Sequence, residues 1–330
     1  LMFASNQGEG WVFRVSSAPR VGGGHVMRCL SIGRELNKHQ SVHFLLCKGG
    51  EYWLDRIEYY GMTASIYKAS VEVKNKNLLV DGYDFSSLET KVWNKQCKCM
   101  AFIDDSNTAP NYANIVISSR MDKMNQKNYK KQIILQGKNY ALLASEYINS
   151  ISRNVKKVTT ILVSCGLRDS NNFTSQVLDA LSECNFYGDV NIAIGSQAPY
   201  LQALSNSIKK YNFSINIILD SNGLYDLLTQ SDMVVGAGGV SLLERMALGK
   251  PSVTIITAEN QRNQVIWCEN SGATILVDPL ERKFQHDLVY GIDLLLKSEE
   301  RRLKISNKGM RTIDGYGSER VARCMAFGEC

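Results

Sequence analysis

The chain has 330 residues, room for two domains of ordinary size, and its 44% hydrophobic and 21% charged residues with only 5 prolines exclude a disordered or fibrous architecture. No run of about 18 apolar residues could span a bilayer. The net charge of +6 is interleaved with acidic residues, which argues against a nucleic-acid surface while still favouring a phosphorylated small molecule.

The first ten residues, LMFASNQGEG, lack the basic and apolar regions of a secretory signal. Nine cysteines, odd in number and scattered without a paired framework, then fit a reducing cytoplasm. Cys97 and Cys99 have neither redox nor zinc spacing and read as core or strand-edge residues. The four histidines, His25, His39, His43 and His286, form no metal-binding pattern, so neither a metal nor a cofactor is expected. The patch Lys123, Lys127, Lys130 and Lys131 lacks interleaved aromatics beyond Tyr129 and reads as a solvated loop.

Trp11 to Ser17 reads as a first strand, and from His25 the apolar positions Val26, Cys29, Leu30, Gly33 and Leu36 follow helical spacing. Between them, Val21-Gly22-Gly23-Gly24 makes a glycine turn at a helix start, where free backbone N–H groups and the helix dipole favour an anion. The same glycines could equally form only a tight turn, with His25 packed or capping. Further strands are expected at Ser41 to Cys47, Asn77 to Asp81, Cys99 to Ile103 and Ile115 to Ser118, with helices at 25–38, 51–60 and 86–95. Asp81-Gly82-Tyr83-Asp84 and Asp104-Asp105-Ser106-Asn107 end two of these strands with carboxylates, as turn formers or as groups facing a substrate.

After the polar stretch 149–157 the pattern starts again. Strands are expected at Val158 to Cys165, Val190 to Ile194, Ile215 to Leu219, Met233 to Val235, Ser252 to Ile256 and Thr274 to Val277, with helices at 172–183, 199–210, 224–230, 240–248 and 260–270. Strands alternating with helices in both halves predict two doubly wound α/β domains, 11–153 and 154–330, with ligands beyond the strands' carboxyl ends in a cleft between the domains.

In the second half, Ser164 to Asn172 places Gly166, Arg168, Asp169 and Asn172 after a strand; Arg168 could pair with a diphosphate, and Asp169 or Asn172 could cap a helix. Gly236-Ala237-Gly238-Gly239 repeats the strand, glycine turn, helix order. Ser241 and Glu244 fit a capping box there, or Glu244 accepts hydrogen bonds from a ribose diol while the turn holds phosphate. Asn260 and Gln261, at a strand-to-helix junction, either cap the helix or read substrate hydroxyls.

Taken in order, GGGHVMRCL, IDD at 103–105, YALL at 140–143, GAGGVSLLERMALGKPS at 236–252, ENQ at 259–261 and DGYGSER at 314–320 resemble the UDP-2,4-diacetamido-2,4,6-trideoxy-β-L-altropyranose hydrolase family of pseudaminic acid biosynthesis. The resemblance spans residue 14 to about residue 320, with the motifs in the same order. It implies a GT-B fold of two Rossmann-like domains, similar to the peptidoglycan N-acetylglucosaminyltransferase. It also implies metal-independent, inverting cleavage of the anomeric C–O bond of a UDP-sugar, with His25 catalytic.

The resemblance places Gly236, Ala237, Gly238, Gly239 and Ser241 near the diphosphate and Glu244 on the ribose; with them, Gly166 and Arg168 are expected to contact UDP, and Gly23, Gly24, Arg28, Asp81, Tyr83, Asp105, Tyr140, Asn260 and Gln261 the rest of the substrate. The chain departs from the family at Ser16, usually Asp; at Gly82, usually His or another polar residue; at Ala144, usually Arg; and at Leu167-Arg168, usually Gly-Thr. A glycosyltransferase using a UDP-sugar donor and a non-catalytic UDP-sugar-binding protein are the alternatives. The expected partner is a UDP-sugar, with no nucleic acid, no stable membrane insertion, and a monomeric or weakly dimeric state.

Overall fold

The computed structural model describes residues 10–18, 23–68, 73–105, 108–121, 132–148 and 156–330. Val21, Gly22, Ser106, Asn107, the lysine patch at 123–131 and the expected boundary at 153/154 lie outside them. The chain forms two compact units, one running to Ser145 and taking in Gly315–Cys330, the other being Glu146–Asp314.

In the first unit the elements are β1 (Trp11–Val15), α1 (Gly24–Leu36), β2 (Val42–Leu46), α2 (Leu54–Tyr59), β3 (Thr63–Ile66), β4 (Asn77–Asp81), α3 (Ser87–Gln96), β5 (Cys99–Ile103), β6 (Ile115–Ser118) and β7 (Ile133–Gln136). The strands pair in parallel in the order β3-β2-β1-β4-β5-β6-β7. Alternate residues of each strand go to opposite faces, and both faces are apolar. Phe13, Phe44, Leu79 and Ala101 pack with Val26, Leu30 and Ile32 of α1. Val12, Leu45, Leu78, Val80 and Phe102 pack with Trp93 of α3 on the other side. Full burial of each such side chain stabilises the unit by about 1.5–3 kcal/mol.

The second unit contains β8 (Thr160–Ser164), α4 (Phe173–Glu183), β9 (Asp189–Ile194), α5 (Leu201–Ser207), β10 (Ser214–Leu219), α6 (Tyr225–Gln230), β11 (Met233–Ala237), α7 (Val240–Ala247), β12 (Ser252–Ile255), α8 (Arg262–Asn270), β13 (Ile275–Val277), α9 (Phe284–Lys297) and α10 (Glu299–Thr312). Its sheet is also parallel, in the order β10-β9-β8-β11-β12-β13. In each sheet the chain reverses its direction of winding between two neighbouring strands, β1 and β4 in the first and β8 and β11 in the second. The carboxyl ends of such a pair are where open α/β sheets hold ligands.

Three expectations are corrected. The last helix, α11 (Gly317–Phe327), does not extend the second domain: Val321, Ala322 and Met325 join the core of the first unit beside α1. Gly317 makes this docking possible, because a Cβ there would stand 2.1 Å from the Ala141 carbonyl oxygen. The cysteines are not all unpaired, since Cys324 and Cys330 form a disulfide; α11 ends at Gly328 with φ +71°, and that turn leaves the two Cα atoms 4.7 Å apart. Finally, β3, β7 and α9–α11, which the sequence reading leaves unassigned, are formed. Strands β3 and β7 are four-residue edge strands, only partly buried, with little alternation to reveal them.

Among the described residues no helix is long and apolar enough to cross a membrane.

Candidate active site

In the first unit four of the sequence-predicted residues, His25, Arg28, Asp81 and Asp105, come together at the carboxyl end of β4. Gly23 is the N-cap of α1, and no side chain among the described residues caps that first turn. His25 therefore stands in a first turn whose backbone N–H groups meet no side-chain acceptor among the described residues. Arg28 lies one turn further on, on the same face of α1. Asp81 closes β4 and is fully buried.

The three side chains form one network. His25 Nδ1 is 2.7 Å from Asp81 Oδ1. Arg28 donates from Nε to Asp81 Oδ2 at 2.6 Å and from Nη2 to Asp81 Oδ1, and its Nη1 donates to Asp105 Oδ2 at 2.5 Å. Burial by itself would raise the Asp81 carboxyl, but the Arg28 guanidinium, with its hydrogen bonds and that of His25, prevails and holds it at about 2. The same two carboxylates overcome the burial of Arg28 and raise its pKa well above the usual value.

An ionised Asp81 can only accept, so His25 donates its Nδ1–H to Oδ1, with Arg28 Nη2 3.1 Å from the same nitrogen. The tautomer that results carries its lone pair on Nε2, the arrangement in which a buried carboxylate orients a histidine base. The His25 side chain keeps 12% of its surface exposed, so the imidazole is reachable. Tyr83 sets its ring edge-on to His25, with centroids 5.2 Å apart.

The neighbouring expectations divide. Asp105 belongs to the network, whereas Asp104 accepts the Thr108 and Ala109 N–H groups at 3.0 and 2.9 Å. Tyr140 ends a one-turn 3-10 segment and packs against the core of the first unit. Two of the family departures are coupled: Gly82 has φ +141°, and a Cβ there would lie 1.7 Å from Ser16 Oγ. Ser16 donates to Asp84 and accepts the Tyr83 N–H at 3.2 Å.

In the second unit the glycine turn sits at the end of β11, beside β8. A Cβ on Gly236 would stand 2.4 Å from the Ser164 carbonyl oxygen, and Gly239 has φ +76° as the N-cap of α7. Both positions require glycine. The predicted capping box is absent: Ser241 donates back to the Ala237 and Gly238 carbonyls at 3.4 and 3.3 Å, and Glu244 turns instead to the Tyr147 hydroxyl. A capping box does form at Ser86 and Glu89, ahead of α3, where an extended N-cap precedes the helix. At α7 the N-cap role falls to Gly239, two residues before Ser241.

Arg168 is exposed beside Gly166, whose φ is +98°. Asp169 takes both the Phe173 and Thr174 N–H groups at 2.8 Å and so fills the start of α4. Asn260 is exposed on a 3-10 turn, while Gln261 accepts from the Thr257 N–H and hydroxyl at 3.2 and 3.1 Å. Gln261 thus shapes the loop before α8.

Residues 160–314 match the glycosyltransferase family 28 C-terminal domain. The chain is 22% identical over 272 residues to the UDP-2,4-diacetamido-2,4,6-trideoxy-beta-L-altropyranose hydrolase of Campylobacter jejuni, covering 79% of this chain and 96% of that protein. It is 23% identical over 315 residues to the spore coat polysaccharide biosynthesis protein SpsG of Bacillus subtilis, covering 91% and 93%. An uncharacterised protein of Methanocaldococcus jannaschii is 27% identical over 263 residues, 73% of this chain but only 54% of that protein's length. Among solved structures, MurG of Acinetobacter baumannii superposes with a TM-score of 0.67 at 10% identity, covering 97% of this chain and 100% of that one. The UDP-GlcNAc 2-epimerase of Neisseria meningitidis gives 0.64 at 13% identity, covering 96% and 100%. The fold is GT-B.

Within this GT-B chain three residues of the second unit carry weight that their sequence positions did not reveal. Tyr147, buried at the start of the unit, holds Glu244 from nearly a hundred residues away. Burial raises the Glu244 carboxyl to about 7 despite that hydrogen bond and the nearby Arg245 charge. Gln264 Oε1 accepts the Gly239 N–H at 2.9 Å and so occupies a donor that an anion at the turn would use. Its position three residues after Gln261, one helical turn along, was the available signal. Arg245, next to Glu244 in the chain, is 1% exposed beneath the turn.

Proposed function

We propose that the protein hydrolyses a UDP-linked diacetamido-trideoxyhexose to free sugar and UDP, as a step in nonulosonic acid biosynthesis. The observation that carries this reading is the His25–Asp81–Arg28 network, a histidine oriented by a buried ionised carboxylate at the switch point of its sheet. His25 Nε2 takes a proton from water as the water oxygen bonds to the anomeric carbon. The carbon–oxygen bond to UDP breaks on the opposite face, UDP leaves with the electron pair, and the anomeric configuration inverts. Asp81 stabilises the imidazolium that forms. In this reading Asp105 and Tyr83 flank the sugar, while Gly236 to Gly239, Ser241 and Arg168 receive the diphosphate and Glu244 the ribose. Asn260 and Gln261 would line the substrate, and no metal takes part.

The similarity to the Campylobacter hydrolase over 96% of that protein favours water as the acceptor. The family 28 match supports a second reading, in which His25 deprotonates a sugar hydroxyl and the protein is a glycosyltransferase.

UDP release from UDP-2,4-diacetamido-2,4,6-trideoxyaltrose and from UDP-N-acetylglucosamine, without acceptor, separates these for the native protein and His25→Ala. The hydrolase releases UDP from the first sugar alone and loses that release in the variant. Binding of UDP with no release from either sugar, in the absence of acceptor, would leave the transferase or a non-catalytic binder.

A further inference from the structure

Arg245 is among the largest fully buried side chains of the protein and carries a charge. Its Nη2 donates to the Ala237 carbonyl at 2.8 Å and to Thr254 Oγ1 at 3.0 Å, and its Nη1 lies 3.4 Å from Ser241 Oγ. Nη1 also stands 3.3 Å from where a Cβ on Gly236 would be. The guanidinium thus touches both ends of the glycine turn from below. Its Nε is buried and has no hydrogen-bond partner among the described residues. No carboxylate forms a salt bridge with it among the described residues.

Burial moves the guanidinium down, to about 10, with the Glu244 carboxylate opposing that shift from a distance. The group is therefore still cationic at neutral pH. A buried cation without a paired anion is costly, and natural proteins keep such groups paired or liganded. Thr254 and Thr274, whose hydroxyls are 2.7 Å apart, supply dipoles but no charge. The turn it holds is the one that the nucleotide reading assigns to the diphosphate, where α7 begins at the glycine N-cap Gly239 and Gln264 takes the Gly239 N–H.

We propose that Arg245 is a positioning residue for diphosphate recognition: it fixes the Gly236–Ser241 turn from beneath and supplies the buried positive charge that the bound diphosphate neutralises. This rests on the reading that the turn receives UDP. It adds a cation that never touches the ligand and is shielded from solvent ions by burial. The diphosphate gains from it and the nucleoside does not.

Calorimetric titration of the full chain with UDP and with uridine tests this. In Arg245→Gln, where the amide can still donate to the Ala237 carbonyl but the charge is gone, UDP binding is expected to weaken by about ten-fold or more while uridine binding stays within about two-fold. Arg245→Lys, which keeps a charge, is expected to retain most of the UDP preference, and it serves where Arg245→Gln does not fold. Parallel loss of UDP and uridine in Arg245→Gln, or loss of the preference in Arg245→Lys equal to that in a neutral variant, would show a purely architectural role and overturn the proposal. If the native protein binds uridine but gains nothing from the diphosphate, the proposal likewise falls. Binding of neither ligand by the native protein would overturn the nucleotide reading itself.

Discussion

Asp81 does two things at once at the end of β4: it neutralises Arg28 and it sets the tautomer of His25. Asp81→Asn keeps the shape but removes the charge that stabilises an imidazolium. Turnover is expected to fall by about a hundred-fold or more with the affinity for UDP unchanged, so kcat drops and KM holds. A rise in KM with kcat intact would instead make Asp81 a substrate-binding group.

Glu244 gives a second residue-scale expectation. Its folded-state value of about 7 lies above the ordinary 4.5. A carboxyl raised in this way contributes stability that is fully present below about 4.5 and is lost as pH rises through 7. The full loss is on the order of 3 kcal/mol. Urea unfolding of the native protein at pH 5 and pH 8 is expected to show that decline, and Glu244→Gln to flatten it. A UDP-sugar whose ribose donates to the ionised carboxylate binds more tightly above pH 7 than below it. An affinity indifferent to pH between 6 and 8 would remove Glu244 from the ribose site.

At the scale of elements, the strand ends are held by steric agreements that the chain makes in pairs. The β1 end and the loop after β4 approach so closely that Ser16 occupies the space a side chain at 82 would fill. Gly82→Ala is expected to destabilise the first unit by about 2–3 kcal/mol, from the clash together with the positive φ. Removing the serine side chain as well, in Ser16→Gly with Gly82→Ala, is expected to return part of that loss. The φ strain would remain. Thermal unfolding of the single and double variants measures this coupling, and strict additivity would show that the two positions are independent. The same logic explains the two S-x-x-E tetrads. Ser86 and Glu89 cap α3 because the chain enters that helix extended, whereas the glycine turn before α7 moves the helix start ahead of Ser241 and frees Glu244 for Tyr147.

At the scale of the whole molecule, the chain order and the packing order differ at one place. Helix α11 comes last in sequence but completes the first unit. Ending the chain before Gly315 uncovers the face of α1 that Val321, Ala322 and Met325 bury. Hydrogen exchange is expected to quicken throughout α1 and β1 while β8–β13 keep their protection. Equal loosening of both units would contradict the division of the core.

The sequence by itself determined the alternation of strands and helices, the two glycine turns, and the placing of His25, Arg28, Asp81 and Asp105 beside strand ends, because period, turn chemistry and helix starts are local properties. It also carried the resemblance to a nucleotide-sugar hydrolase in the order of its motifs. Only the tertiary structure decided which strand-end carboxylate serves His25 and which takes the Thr108 and Ala109 N–H groups, since Asp81 and Asp104 both stand at strand ends and differ in what folds against them. It alone decided the tie of Tyr147 to Glu244, the return of α11 to the first unit and the burial of Arg245 beneath the turn. These depend on contacts between residues far apart in the chain, where burial fixes both the partner and the charge state and no local spacing records either.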